Sequence, residues 1–318
     1  MKILITGGAG FIGSNFIHYL LDNYDDQIIN IDKLTYAGNL DNLRDISSNN
    51  NYEFYQGDIL DKKFIKKVFD QSIDYVVNFA AETHVDRSIE NSNQFIKTNV
   101  EGTQVLLDRA LECNIKNFVQ ISTDEVYGSI NKGKFNENNK LKPNNPYSAS
   151  KASADLLLKA YHNTYNLPVN ITRSSNNYGP YQYPEKLIPL FITNIMQDKK
   201  IPLYGDGENI RDWIYVKDNC KAIDLVMRKG KRGEIYNIGA NNEKSNIEIT
   251  KAILKIMNKS EDIIKYVEDR PGHDYRYALN NKKIRNELGW NPKISFYKGL
   301  RKTINWYQNN EKWWKILK

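Results

Sequence analysis

Apolar positions along the chain fall into short runs, separated by longer stretches in which they recur every three to four residues. The short runs are Lys2–Thr6 (KILIT), Gln27–Asp32 (QIINID), 52–58 (YEFYQGD), 75–80 (YVVNFA), 117–122 (NFVQIS) and 169–175 (VNITRSS), and they read as strands. Between them, Phe11–Leu21 sets Phe11, Ile12, Phe16, Tyr19 and Leu20 near a helical period. Residues 62–71, a long amphipathic stretch Asn93–Cys113, and Tyr147–Tyr165 read as further helices. Strands alternating with helix-length segments predict βαβ units, hence an α/β fold with a doubly wound parallel sheet of the Rossmann type. Crossovers are expected to be right-handed, with helices on both faces.

After about residue 175 the alternation loosens. Residues 184–197 and 246–258 look helical, with short strands at 211–216 and 234–239 between them. This pattern predicts a nucleotide-binding domain over 1–170 and a smaller C-terminal substrate-binding lobe over 171–318, with segments returning to the main sheet.

Apolar residues make up 40% of the 318 and charged residues 26%, which fits a globular chain rather than a disordered one. No apolar run is long enough for a membrane span. The opening MKILITGGAG breaks into glycine too soon for a signal peptide, so it reads as the first strand, and a cytoplasmic protein is expected. Cys113 and Cys220 are the only cysteines, and the four histidines show no ligand spacing. Neither a disulfide framework nor a metal site is expected. The net charge of +7 comes from Lys and Arg scattered among acids. It fits a solvated basic surface, or a few cations facing a phosphorylated ligand, better than a nucleic-acid binder, which needs a clustered cationic face.

TGGAGFIG places Gly7, Gly10 and Gly13 three apart between a strand and a helix. There the chain must turn tightly and let a pyrophosphate approach its backbone, near N–H groups of the helix start. Asp32 ends the second strand, 19 residues after Gly13, where an acid hydrogen-bonds an adenosine ribose and repels a 2′-phosphate. NAD is therefore favoured over NADP, although Lys33 next door softens the preference. Further along, Tyr147-x-x-x-Lys151 puts a phenol and an ammonium on one helix face. Such an ammonium is expected to lower the phenol pKa, fitting the tyrosine to take a proton from an alcohol.

These motifs, with NFAAETHVD (78–86) and Thr123, resemble the extended short-chain dehydrogenase/reductase superfamily over nearly the whole chain. The resemblance implies NAD(P) binding and, in many members, action on nucleotide sugars. It also implies a cofactor site built from Gly7, Gly10, Phe11, Ile12, Gly13, Asp32, Lys33, Leu34, Thr35, Asp58 and Ile59. Ala80, Ala81, Thr83, Thr98, Asn99, Tyr147, Lys151 and Asn177 complete it.

Asp124 and Glu125 follow a strand in STDEVYG (122–128). Acids there can be mere loop solubility. They can also divide the labour of an elimination, because neighbouring carboxyls resist joint ionisation and one keeps its proton. The segment resembles the catalytic stretch of dTDP-glucose 4,6-dehydratases. That resemblance implies Glu125 as the base at C5, Asp124 as the acid at the C6 hydroxyl, and Thr123 sharing the C4 hydroxyl with Tyr147.

By the same resemblance, dTDP-glucose is the expected substrate. His84, Thr123, Asn176, Lys186, Leu187, Pro202, Tyr204, Arg211, Asn246, Arg270 and His273 match its contacts, with Arg211 and Arg270 suited as forks on a diphosphate. Thr83, Ser174 and Tyr275 depart from the commoner Ser, Cys and Arg. The product, a 4-keto-6-deoxy sugar nucleotide, leads to rhamnose or another deoxysugar. Asn93–Cys113 and Tyr147–Tyr165 carry apolar positions on more than one face, and the resemblance implies that this pair forms a four-helix homodimer interface, unless the faces only cover the sheet. The competing readings are an epimerase, which has no need of Asp124, a UDP-glucose 4,6-dehydratase, and a catalytically inert NAD-binding protein on the same fold.

Overall fold

The computed structural model describes residues 1–269 and 273–318. The first half of the chain alternates as the apolar pattern requires: β1 (Lys2–Thr6), α1 (Phe11–Asn23), β2 (Gln27–Asp32), β3 (Tyr52–Gln56), α2 (Lys62–Phe69), β4 (Tyr75–Asn78), α3 (Val85–Glu90), α4 (Ser92–Phe95), α5 (Thr103–Glu112), β5 (Asn117–Thr123), α6 (Pro146–Tyr165) and β6 (Val169–Ser174). The second half comprises β7 (Asn176–Tyr178), α7 (Leu187–Met196), β8 (Ile201–Tyr204), β9 (Ile210–Tyr215), α8 (Val216–Lys229), β10 (Ile235–Ile238), β11 (Glu243–Ser245), α9 (Asn246–Ile256), β12 (Ile264–Val267), α10 (Lys282–Leu288), α11 (Phe296–Asn309) and α12 (Glu311–Lys315).

Seven strands pair in the order β10-β6-β5-β4-β1-β2-β3, all parallel. Side chains of a strand alternate between faces, and both faces of a parallel sheet are covered, so the central strands place apolar residues on both sides. Ile3 and Ile5 enter one core with Phe16 and Leu20 of α1 and Ile223 and Val226 of α8. Leu4, between them, enters the opposite core with Ile65, Leu106 and Leu158. Each such fully buried side chain contributes about 1.5–3 kcal/mol. A third core joins α7, α9 and α11 to the small sheets β11-β9-β7 and β12-β8.

The expected boundary at 170 falls inside β6, and both α8 and β10 belong to the main layers. The stretch Asn93–Cys113, expected as one regular helix, contains a wider π segment at Ile96–Gly102 between α4 and α5. Sequence periodicity blurs over one extra residue per turn, whereas the π segment turns Asn99 inward. Asn99 Oδ1 there accepts the Glu82 N–H at 2.8 Å, and its Nδ2 donates to the Ser150 hydroxyl at 2.8 Å.

Candidate active site

Strand β4 pairs with β1 on the side opposite β2, so the chain reverses direction across β1. A cleft of about 350 Å³ opens at the carboxyl ends of these strands, the place where open α/β sheets bind ligands. Gly7 and Gly13 line it and explain the glycine spacing. Gly7 has φ +71°, and a Cβ there would lie 2.6 Å from Ala80 N. At Gly13 a Cβ would lie 2.4 Å from Gly7 O. The start of α1 carries no side-chain cap and no acid in its first turn, leaving its N–H groups to an anion.

Asp32 is buried at the rim of this cradle. Its Oδ1 accepts from Leu34 N at 2.8 Å and its Oδ2 from Ala9 N at 3.0 Å. Burial raises its pKa, opposed by those two backbone N–H groups. Both oxygens are held in place with lone pairs to spare, as two ribose hydroxyls require. Lys33, which was expected to soften the preference for NAD, pairs with Asp58 at 2.7 Å. The cradle and the fixed carboxylate fit a dinucleotide.

The catalytic candidates come from two elements. At the end of β5, Thr123 caps a 3-10 turn, Asp124–Tyr127, accepting the Glu125 N–H at 3.3 Å. The turn is pinned from behind. The Tyr127 hydroxyl donates to Asn237 Oδ1 and accepts from Arg173 Nη1, and Arg173 pairs with Asp155 at 2.8 Å. On α6, Asn145 and Ser148 form a capping box with Pro146 in the first turn, which fixes where Tyr147 and Lys151 project. Thr123, Asp124, Glu125, Tyr147 and Lys151 all line the cleft.

Their electrostatics follow from burial. Asp124 is 2% exposed, and its Oδ2 has no hydrogen-bond partner among the described residues. Burial and the charge of Glu125 push its pKa well above the usual carboxylate range, with Arg211 opposing. Tyr147 corrects one expectation: its phenol pKa is raised, chiefly by burial and then by Glu125, while a hydrogen bond with Thr123 opposes. The Lys151 ammonium donates instead to Ile121 O at 2.6 Å, and burial brings it down to about 8.

Of the expected cofactor contacts, Leu34 and Asn99 lie off the cleft lining; Leu34 positions Asp32, and Asn99 ties Glu82 to α6. Of the expected substrate contacts, Thr123, Asn176 and Lys186 line it. His84 Nδ1 accepts from Arg87 N, and its Nε2 faces Glu185 at 3.5 Å. Arg211 is buried over the Tyr277 ring and donates to Asp274 O at 2.8 Å. Leu187 opens α7, Asn246 opens α9, and Pro202 and Tyr204 lie on β8. His273 Nδ1 lies 2.6 Å from Asp269 Oδ1. Arg270 lies outside the described residues.

Residues that sequence reasoning did not single out also line the cleft: Tyr36, Gln94, Ser122, Ser175, Gln182 and Glu185. Tyr36 follows β2, Gln94 lies on α4, Ser122 and Ser175 lie at or beside strand ends, and Gln182 and Glu185 lie in YQYPEKL, with no shared sequence signal to join them. Ser122 Oγ, Ser175 Oγ, Gln182 Oε1 and Glu185 Oε1 are buried without hydrogen-bond partners among the described residues, as expected of groups that serve a polar ligand. No group of three or more potential metal ligands occurs among the described residues, and none of their helices is long and apolar enough to cross a membrane.

A sequence model of the family described as GDP-mannose 4,6 dehydratase matches residues 4–303. The chain is 53% identical to the low-salt glycan biosynthesis protein Agl12 of Haloferax volcanii, over 98% of this chain and 100% of that protein. It is 50% identical to a dTDP-glucose 4,6-dehydratase of Streptomyces niveus, over 100% and 96%. Among solved structures it is similar to DesIV, the dTDP-glucose 4,6-dehydratase of Streptomyces venezuelae, with NAD and dTDP bound. That match has a TM-score of 0.98 and 48% identity, and covers all of both chains. With its glycine cradle, its strand-end acids and its Tyr-Lys helix, the chain belongs to this family of nucleotide-sugar 4,6-dehydratases, within the extended short-chain dehydrogenase/reductase superfamily.

Proposed function

We propose that the chain converts dTDP-glucose to dTDP-4-keto-6-deoxyglucose and water, using NAD. The observation that carries this reading is Asp124: a buried carboxyl whose pKa is pushed up by burial and by Glu125, with one oxygen unpartnered among the described residues, beside a second acid at a cofactor cleft. An epimerase has no work for such a group. When bound, NAD would supply the acceptor for hydride from the sugar's C4 and the donor of hydride to C6.

The chain's own residues manage the protons. Tyr147 takes the C4 hydroxyl proton while C4 becomes a ketone, a task that needs its phenolate. Burial disfavours that form in the ligand-free cleft, and the cationic ring of oxidised NAD, when bound, would favour it. The ketone acidifies the C5 hydrogen, and Glu125 removes it as the C5–C6 double bond forms. Asp124 gives its proton to the departing C6 hydroxyl, which leaves as water. After hydride reaches C6, Glu125 returns its proton to C5. One proton then rests on Tyr147 and one is missing from Asp124. Thr123 hydrogen-bonds Tyr147 and donates to Asp124 Oδ1 at 3.3 Å, which supports it as the path that restores both.

The same reading assigns 1–170 mainly to NAD and 171–318 mainly to the sugar nucleotide, with Asn176, Lys186, Arg211 and their neighbours as contacts. It makes the protein a cytoplasmic homodimer feeding synthesis of rhamnose or another deoxysugar. Leu156 of α6, at 58% exposure, and Ile96 of the π segment, at 48%, support helix pairing with a second copy. The test is incubation of the purified protein with dTDP-glucose or UDP-glucose, without added NAD. A 4-keto product from dTDP-glucose, formed faster than from UDP-glucose, is expected; no product from either defeats the reading.

A further inference from the structure

We infer that Asn42 and Trp313, neither of which lines the cleft, are positioning residues that set the shape of the glycine loop for NAD. Asn42 sits in a 3-10 turn, Leu40–Ile46, and is 1% exposed. Its Nδ2 donates to Ala9 O at 2.8 Å, and its Oδ1 accepts from the Trp313 indole N–H at 2.8 Å. Its own carbonyl meets His18 Nε2 at 2.8 Å.

Ala9 lies between Gly7 and Gly10, and its N–H donates to Asp32 Oδ2. The peptide plane that carries Ala9 O also carries the Gly10 N–H, which donates to Gly7 O at 3.2 Å. A hydrogen-bonded chain thus runs from the last helix, α12, through Asn42, to the loop and the ribose-facing acid.

The direction of that chain is fixed by chemistry. An indole N–H is a donor only, and a carboxamide offers one accepting and one donating end. With Trp313 donating to Oδ1, the amide group must turn its NH₂ toward Ala9 O. Ala9 O also accepts from Asn39 N at 3.0 Å, so the loop carbonyl is held by two donors, and the indole N–H secures the one from Asn42 by opposing a flip that would set oxygen against oxygen at Ala9.

The ring of Trp313 is itself held. It packs edge-on against Trp306 at 4.9 Å and Tyr181 at 6.1 Å, and Tyr181 stacks on His18 of α1 at 5.8 Å. Asn15 of α1 donates to Pro180 O at 3.0 Å in the same place. The end of the chain therefore grips the back of the dinucleotide loop.

The inference rests on NAD as the cofactor, and its test separates the two. Trp313→Phe keeps an aromatic ring and removes the N–H. NAD is stripped from the protein, and its rebinding is measured by equilibrium dialysis. We expect Trp313→Phe to weaken NAD binding about three- to tenfold, the scale of one hydrogen bond. Turnover of dTDP-glucose at saturating NAD should stay at the wild-type rate. Asn42→Ala should weaken binding at least as much, and the double variant no more than Asn42→Ala alone. If Asn42→Ala does not fold, Trp313→Phe decides. Wild-type affinity in Trp313→Phe, independent losses in the double variant, or a fall in turnover with NAD affinity intact would each overturn the inference. Wild-type protein that binds no NAD would overturn the cofactor reading as well.

Discussion

Lys151 Nζ donates to the carbonyl of Ile121 at 2.6 Å, so the ammonium on α6 is spent on the end of β5, two residues before Thr123. The contact fastens the helix bearing Tyr147 to the strand bearing the acids. It is made by a cation buried at a cost: free lysine titrates near 10.5, and this one is brought down to about 8. Between those values the unfolded chain binds the proton that the folded chain has released. Stability therefore rises with pH through that window. The penalty is fully present below pH 8 and fades as pH approaches 10.

Lys151→Met should then melt higher than wild type at pH 7, by an amount on the order of 1–3 kcal/mol. The gap should shrink as pH rises from 8 to 10. Thermal melts across that range check it, and a constant gap would exclude this account of the ammonium.

Asp124→Asn is expected to do two things. It should slow elimination about 100-fold or more while leaving C4 oxidation within about tenfold, as removal of a general acid does. Single-turnover NADH absorbance reads both steps, and an equal loss in both would falsify the assignment. It should also stabilise the ligand-free protein at neutral pH, by something on the order of 1 kcal/mol. With its pKa raised, folded Asp124 keeps a proton that the unfolded chain has lost, so wild-type stability falls as pH rises above the ordinary carboxylate value.

Discrimination against NADP is placed on Asp32 rather than on the neighbouring lysine. A 2′-phosphate would meet the fixed carboxylate, while Lys33 is held by Asp58 at 2.7 Å. Wild-type protein should prefer NAD by about 100-fold, since like charges in contact cost several kcal/mol. Asp32→Ser with Asp58→Asn should close most of that gap by freeing Lys33. Parallel NAD and NADP titrations decide; a preference that survives the double change would point elsewhere in the cleft.

Gly13→Ala puts a methyl 2.4 Å from the Gly7 carbonyl. The loop must move, at a cost of about 1–3 kcal/mol, and NAD affinity should drop with it. Calorimetric titration showing wild-type affinity would mean that the loop gives way to the methyl at no cost to binding.

Leu156→Arg tests the proposed dimer. A charge buried at a helix interface without a partner costs about 3–5 kcal/mol, enough to weaken self-association at least about 100-fold. Sedimentation velocity over a dilution series should show monomer where wild type is dimeric. An unaltered distribution would move the interface elsewhere.

The sheet was legible because its signal is local. Lys2–Thr6 and Gln27–Asp32 are strands over the residues that the apolar runs mark. The Tyr147-x-x-x-Lys151 spacing does place both side chains on one cleft, since a helix fixes i and i+4 to one face. The phenol pKa was not legible, because it depends on burial and on two carboxylates brought from β5, none of which spacing encodes. Helix α8 sets Cys220, Ile223, Val226 and Met227 at a helical period, but the polar residues between them and the short strands on either side obscure that period in the sequence. The π segment had no period to find. The unpartnered Ser122, Ser175 and Gln182 atoms acquire meaning only when the strand ends converge.

The position of β10 has a practical outcome for anyone dividing the protein. Its four residues are zipped to β6 from Ile235↔Ile171 to Ile238↔Ser174, and β11 of the small sheet begins only a few residues later. The chain is sewn across the two lobes rather than hinged at one point. A fragment cut after Ser174 would bare the backbone of β6 along one side, an invitation to pair with its neighbours in solution. A cut there divides one continuous sheet, so the segment proposed to hold the cofactor is expected not to stand alone.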